Sequence, residues 1–300
     1  MPAREEETMA LANPVQMTDP LKDLLDGVSI EVMPRTLGKV ADMSALMAPG
    51  TRVYIAHIEG TPFEDMLGAA KRLASEGFEV MPHFPARIIA DAAMLEDWIK
   101  AYAGEAGVRE ALVLAGGVAQ PLGAFDSAMQ LLETGLFEKH GYNRLHVAGH
   151  PEGNRDIDPK GGTAVVDAAV RWKQEYARAT GTEMALVTQF AFDAAPVIGW
   201  AERLAGDGIT LPIHVGIAGP AKLQTLIKFA IACGVGPSLG VLQKRAKDLS
   251  KLLRPMEPTE VATALAVHKA AHPESLIARL HIFPLGGIAT AADWVAAKRG

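Results

Sequence analysis

"SIEVMPR", residues 29–35, reads as a short apolar strand closed by Pro34, with a carboxylate at its centre. Side chains alternate along a strand, so Glu31 points to the face opposite Ile30 and Val32. If both faces of this strand are covered, Glu31 needs either a partner or a cavity. Burial without a cation raises a carboxyl pKa and keeps the group protonated near neutrality, which suits a proton donor. If the strand lies at a sheet edge, the same residue simply points at water. The rest of the chain decides between the two.

Seven further apolar runs follow: "RVYIAH" (52–57), "FEVMPH" (78–83), "EALVLAG" (110–116), "RLHVAG" (144–149), "MALVTQF" (184–190), "LPIHVGI" (211–217) and "RLHIFPL" (279–285). Between them lie segments of helical period, among them 62–77, 91–107, 163–181 and 220–234, several ending in a glycine suited to a C-terminal cap. Strands alternating with helices predict parallel strands joined by helical crossovers, and closure at eight predicts a (β/α)8 TIM-type barrel. Extra helices, 237–255 and 258–273, are expected between the seventh and eighth strands. The first of these carries Lys244, Arg245, Lys247, Lys251 and Arg254, a solvated basic face or a site for a ligand's anionic tail.

A chain of 300 residues with 49% hydrophobic and 21% charged residues fits one large core. The expected organisation is a flexible N-terminal segment, residues 1–20, ahead of a single barrel over 21–300. A net charge of −6 gives no electrostatic reason to expect nucleic acid or an anionic membrane as partner. No apolar run suits a signal peptide or a membrane span, so the reading is a cytoplasmic enzyme. The lone cysteine, Cys233, excludes an internal disulfide and is expected to be a small buried apolar residue. Barrel helices serve equally as surface or interface, which leaves a homo-oligomer open.

In such a barrel the site lies at the C-terminal ends of the strands. Glu31, His57, His83, Gly116, Gly117, His150, Glu152 and Gln189 all fall there, and all are expected to converge on one mouth. The histidines stand on separate strands without helical ligand spacing, so no metal site is expected. The two glycines of "VLAGG" let a backbone approach a bulky ligand closely, as they also permit a tight turn. "PEGNRDIDPKGG" (151–162) is a long polar loop of the kind that wraps a ligand or merely links elements. Gln189 offers a donor and an acceptor for the edge of an amide-like heterocycle.

Taken in order, "SIEVMPR", "MPHF", "VLAGG", "GHPEGN", "VTQFAFD" and "VGIAGPAKLQTLIKF" resemble the methylenetetrahydrofolate reductase family, over roughly residues 28–290. The resemblance implies reduction of 5,10-methylenetetrahydrofolate to 5-methyltetrahydrofolate, with NAD(P)H, NADH first, as reductant and FAD as the family's default carrier. It makes Glu31 the general acid, Gln189 the pterin's hydrogen-bond partner, Phe229 the ring that packs on folate or nicotinamide, and Leu285 a border of the folate. His83 and Glu152 are retained at cofactor positions. The departures gather on the flavin side. Ala115 and Gly117, around Gly116, replace an arginine and an aspartate; Ala56 replaces a threonine, His150 a tyrosine and Asn154 a histidine; Gly287 replaces an arginine near the folate tail. A flavin-independent member, passing hydride directly to the folate, is therefore as much implied as a flavoenzyme. The competing expectations are another pterin-dependent barrel enzyme, such as a methyltransferase, and a non-catalytic folate-binding protein.

Overall fold

The computed structural model describes residues 19–233, 240–243 and 255–300. Eight parallel strands, β1 (Ser29–Val32), β2 (Arg52–Ile55), β3 (Glu79–Pro85), β4 (Glu110–Leu114), β5 (Arg144–Gly149), β6 (Glu183–Ala191), β7 (Ile213–Ala218) and β8 (Ile277–Phe283), close in sequence order. β1 pairs with β8 through Ser29↔His281 and Ile30↔Ile282, so the sheet has no edge and the question raised by Glu31 is settled against an edge strand. Each of the eight apolar runs holds one strand. Between β7 and β8 lie the helices Leu223–Ala232, which is the expected helix 220–234, and Thr259–Ala271, which bears out the extra helix 258–273. Most of 237–255, with its basic residues, and residues 1–18 lie outside the described residues.

The outer layer follows from helical spacing. Helix Phe63–Ser75 buries Met66, Ala69, Ala70 and Leu73, and helix Ala92–Glu105 buries Leu95, Trp98, Ile99 and Tyr102. Both are i, i+3, i+4, i+7 stripes laid on the outward-facing Val, Ile and Leu residues of the strands. The Asp91 carboxylate accepts from Met94 N at 2.9 Å and starts the second of these helices. Helix Ala164–Thr180 is started by Asp158, whose two oxygens accept from Val165 N and Val166 N at 3.0 and 3.2 Å, and it ends on Gly181 with φ 71°.

Residues paired across a parallel ladder share a face. The register Glu31↔Tyr54↔Met81 and His83↔Leu112↔His146↔Ala185 therefore reads around the inside of the barrel. Tyr54, Met81, Leu112 and Val187 form a small apolar cluster there. The same interior holds a set of polar side chains: His83, His146, His214 and His281 are all buried, and the Tyr54 hydroxyl lies 2.6 Å from His146 Nδ1. Barrel interiors are ordinarily filled by branched aliphatic side chains, so this filling is a departure.

The N-terminal end of the barrel is tied by charge. Five consecutive strands begin with Arg52, Glu79, Glu110, Arg144 and Glu183. Arg52 pairs with Glu110 at 2.8 Å and with Glu79; Arg144 pairs with Glu110 and Glu183. Beside this arc opens a cavity of about 770 Å³ whose lining includes Arg52, Arg144, His146 and His214. Arg52 is 8% exposed and Glu110 16%, so removing the arginine takes one of its two cations from a mostly buried carboxylate, leaving Arg144 alone, and also unpairs Glu79. Arg52→Met is expected to cost about 3 kcal/mol in urea denaturation, whereas Arg178→Met, at an exposed pair with Glu175, is expected to change it by less than about 1 kcal/mol.

Candidate functional site

Glu31 stands near the C-terminal end of β1 with 19% of its side chain exposed. Its Oε2 turns inward, 3.4 Å from His83 Nε2 and 3.9 Å from His281 Nε2. Neither nitrogen makes a hydrogen bond, although both are buried. Burial raises the Glu31 pKa, opposed by the neighbouring His83. Burial also pushes His83 down to about 4, against the pull of Glu31, and His281 down to about 3. At neutral pH both rings are neutral, so the cluster is a carboxyl group among imidazoles and not an ion pair. Among the described residues no set of three His, Cys, Asp or Glu is arranged to hold a metal ion.

His281 is not singled out by the sequence reading, although the signal is there: in "RLHIF" it has the inward parity of its register partner Ser29. Parity also corrects His57. Tyr54 points inward, so His57 points out; it stacks on Trp98 at 4.9 Å, and its Nε2 lies 3.0 Å from Thr61 O. It belongs to the packing behind β2 and does not reach the mouth.

Gln189 sits at an irregularity. The β6–β7 register shifts between Val187 and Phe190, and Thr188 Oγ1 accepts from Gly216 N at 2.9 Å while donating to Gln189 O at 2.8 Å. A Cβ on Gly216 would lie 2.5 Å from Thr188 O and 2.6 Å from Gln189 O, so the bulge requires that glycine. The extra residue turns Phe190 inward and leaves Gln189 exposed near the C-terminal end of β6. The glutamine expected to meet a ligand is thus exposed, with its amide available to one.

Phe229 and Leu285 come together. Both are half-buried against a cluster containing Phe190, Ala218, Leu226 and Phe283. The His281 and Phe283 rings meet edge to face at 4.8 Å, which joins this apolar wall to the imidazoles around Glu31. Cys233, expected to be buried, is exposed just beyond the helix that carries Phe229, because that helix ends at Ala232.

The opposite flank is poor in donors. Ala56 is buried and ends at its methyl group. Ala115 O accepts from Arg87 N at 2.9 Å, Gly116 has φ 95° and a Cβ there would lie 3.0 Å from the Pro85 side chain, and Gly117 is exposed. Asn154 Oδ1 accepts from Asp156 N and Ile157 N at 2.9 and 3.3 Å, so its carbonyl shapes the loop after β5. Glu152 is half-buried in the same loop. Burial and then Lys173 lower His150 to about 4. Lys173, not anticipated from sequence, is itself buried, donates to Ala148 O at 3.0 Å, and is pushed down to about 8 by burial. Gly287, with φ 116°, precedes the last helix, where it fits a backbone conformation that an arginine would strain.

No protein-family model matches the chain. Among solved structures, it resembles an uncharacterized protein from Clostridium thermocellum that binds two copies of 5-methyl-5,6,7,8-tetrahydrofolic acid. The TM-score is 0.59 at 10% identity, over 90% of this chain and 95% of that one. It also matches dihydropteroate synthase from Thermus thermophilus, with a TM-score of 0.46 at 15% identity over 90% and 92% of the two chains. At these identities the first likeness is one of fold, and the second is too distant to argue from.

The neutral imidazoles make stability depend on pH. Unfolded histidine binds a proton near 6.5, whereas folded His83 does so only at about 4, and His214 and His281 at about 3. Below pH 6.5 the unfolded chain holds more protons, so stability falls as pH falls, by at most about 1.4 kcal/mol per pH unit for each ring. Urea denaturation is expected to show a much lower midpoint at pH 5 than at pH 7.5; equal midpoints would mean the rings are not kept neutral by folding.

Proposed function

We propose that the mouth binds a reduced folate and that Glu31 protonates it, the reaction being reduction of 5,10-methylenetetrahydrofolate to 5-methyltetrahydrofolate at the expense of NAD(P)H. The observation that carries this is the Glu31 carboxyl group, partly exposed at the mouth, with its inner oxygen lodged between two neutral imidazoles. A folate as ligand is supported by the Clostridium thermocellum neighbour's 5-methyltetrahydrofolate, and the reductase reading by the ordered motifs of the sequence.

A flat heterocycle seated between the wall of Phe190, Phe229, Phe283 and Leu285 and the exposed amide of Gln189 presents its bridge to Glu31. The Glu31 proton passes to the amine nitrogen of the methylene bridge as its bond to the bridge carbon breaks, and the bonding pair stays on nitrogen. The bridge carbon is left as an iminium that a hydride converts to methyl. NAD(P)H, when bound, supplies that hydride, and the half-buried Phe229 ring offers a face for its nicotinamide. The side chains of Ala56, Ala115, Gly116 and Gly117 carry no donors, so this flank does not fit a flavin held by hydrogen bonds from those positions.

The neighbour's ligand equally favours a second reading, a folate-binding protein or a methyltransferase without hydride chemistry. Absorbance between 350 and 500 nm, with NADH oxidation in the presence of methylenetetrahydrofolate, separates them. A colourless protein that oxidises NADH only with the folate is the expected result; tight folate binding without NADH oxidation would establish the second reading. Glu31→Gln is expected to keep folate binding and lose about 100-fold or more in turnover, and turnover at the wild-type rate would remove Glu31 from the acid role.

A further inference from the structure

Ser29 and His281 face each other across the β1–β8 seam, with Ser29 Oγ 3.0 Å from His281 Nδ1. Ser29 is 2% exposed and His281 0% exposed. Among the described residues this is the hydroxyl's one side-chain hydrogen bond. If the hydroxyl donates to Nδ1, its proton is satisfied; in the other tautomer that proton is buried without an acceptor, which is the costlier state. The hydrogen of the imidazole therefore sits on Nε2, which is buried, has no hydrogen-bond partner, and lies 3.9 Å from Glu31 Oε2. An N–H aimed at a carboxyl oxygen from just beyond hydrogen-bond reach has little to gain while Glu31 is protonated. It has much to gain once Glu31 becomes an anion in a dry site.

We propose that His281, with its tautomer set by Ser29, is a positioning residue that stabilises the carboxylate Glu31 becomes on giving up its proton. The proposal rests on Glu31 being the acid of the reaction above, and it assigns to β8 a part in the chemistry that neither the motifs nor the neighbours indicate. The other titratable groups facing Glu31 are His83 from β3, Tyr54 from β2 and Cys233 beyond the Phe229 helix. None of them is a cation at neutral pH, so among the described residues the charge left on Glu31 is met by dipoles and not by a positive charge.

Infrared difference spectra of the full chain across a pH series test this without substrate, the Glu31 carboxyl band being the one lost in Glu31→Gln. His281→Leu is expected to move the Glu31 titration midpoint upward by about one pH unit. His281→Gln, whose amide N–H reaches the same place, is expected to stay near wild type, and Ser29→Ala, which leaves the ring in place but frees its tautomer, to fall between. Should His281→Leu fail to fold, Ser29→Ala carries the test. An unmoved midpoint in a folded His281→Leu or Ser29→Ala protein overturns the proposal, as does a shift in His281→Gln as large as in His281→Leu. If the protein reduces methylenetetrahydrofolate, His281→Leu is further expected to lower kcat about tenfold with KM for the folate unchanged. Absence of reduction in the wild type would overturn the reductase reading while leaving the band titration to decide the part played by His281.

Discussion

Closing eight parallel strands into a barrel leaves an interior that only alternate side chains enter, and whatever enters loses most of its water. In this chain the side chains that enter include four imidazoles, a phenol and the Glu31 carboxyl group. Every feature of the candidate site follows from that confinement. It keeps the rings neutral, raises the affinity of Glu31 for its proton, and aims two otherwise unpartnered nitrogens at a single oxygen.

Such an interior is less cohesive than an aliphatic one, because each buried nitrogen without a partner forgoes a hydrogen bond that water would have given. The outer layer offsets this with ordinary means: apolar stripes on the helices and a stacked group of Phe63, Trp98 and His57. At the N-terminal end, the charges of Arg52, Glu110 and Arg144 tie β2, β4 and β5 together. The unpartnered Nε2 atoms of His83 and His281 lie beside Glu31 toward the mouth, whereas His214, with an unpartnered Nδ1, lines the cavity at the N-terminal end. A ligand that supplies hydrogen bonds at the mouth gains what the protein alone leaves unmade.

The fold was legible because each strand falls on a compact apolar run and helices such as Phe63–Ser75 and Ala92–Glu105 repeat their buried positions at 3.6. Eight runs of that kind, separated by helices, leave little besides a barrel. The face to which Glu31 points was legible from strand alternation, its burial only from the closure of eight strands, and the same alternation, carried along β2 and β8, distinguishes the outward His57 from the inward His281. Gln189 was harder. Its setting depends on a one-residue bulge whose trace in the sequence is Gly216, on a different strand, and no local pattern links the two. Asn154 illustrates a further limit: an amide in a polar loop reads as a ligand contact, yet here its carbonyl holds two backbone N–H groups of its own loop. Lys173 was invisible because a lysine on a helix reads as solvated, and only the tertiary packing shows it reaching back to Ala148 O.

The most direct test of the central claim is a crystal structure of the protein with 5-methyltetrahydrofolate bound. We expect the pterin to lie between Gln189 and the wall formed by Phe190, Phe229 and Phe283, with the Glu31 carboxyl group within hydrogen-bond reach, about 3 Å, of the ligand or joined to it by one water. A pterin seated in the cavity at the N-terminal end of the strands, or in the mouth with Glu31 turned away from it, would contradict the assignment of Glu31 as the acid.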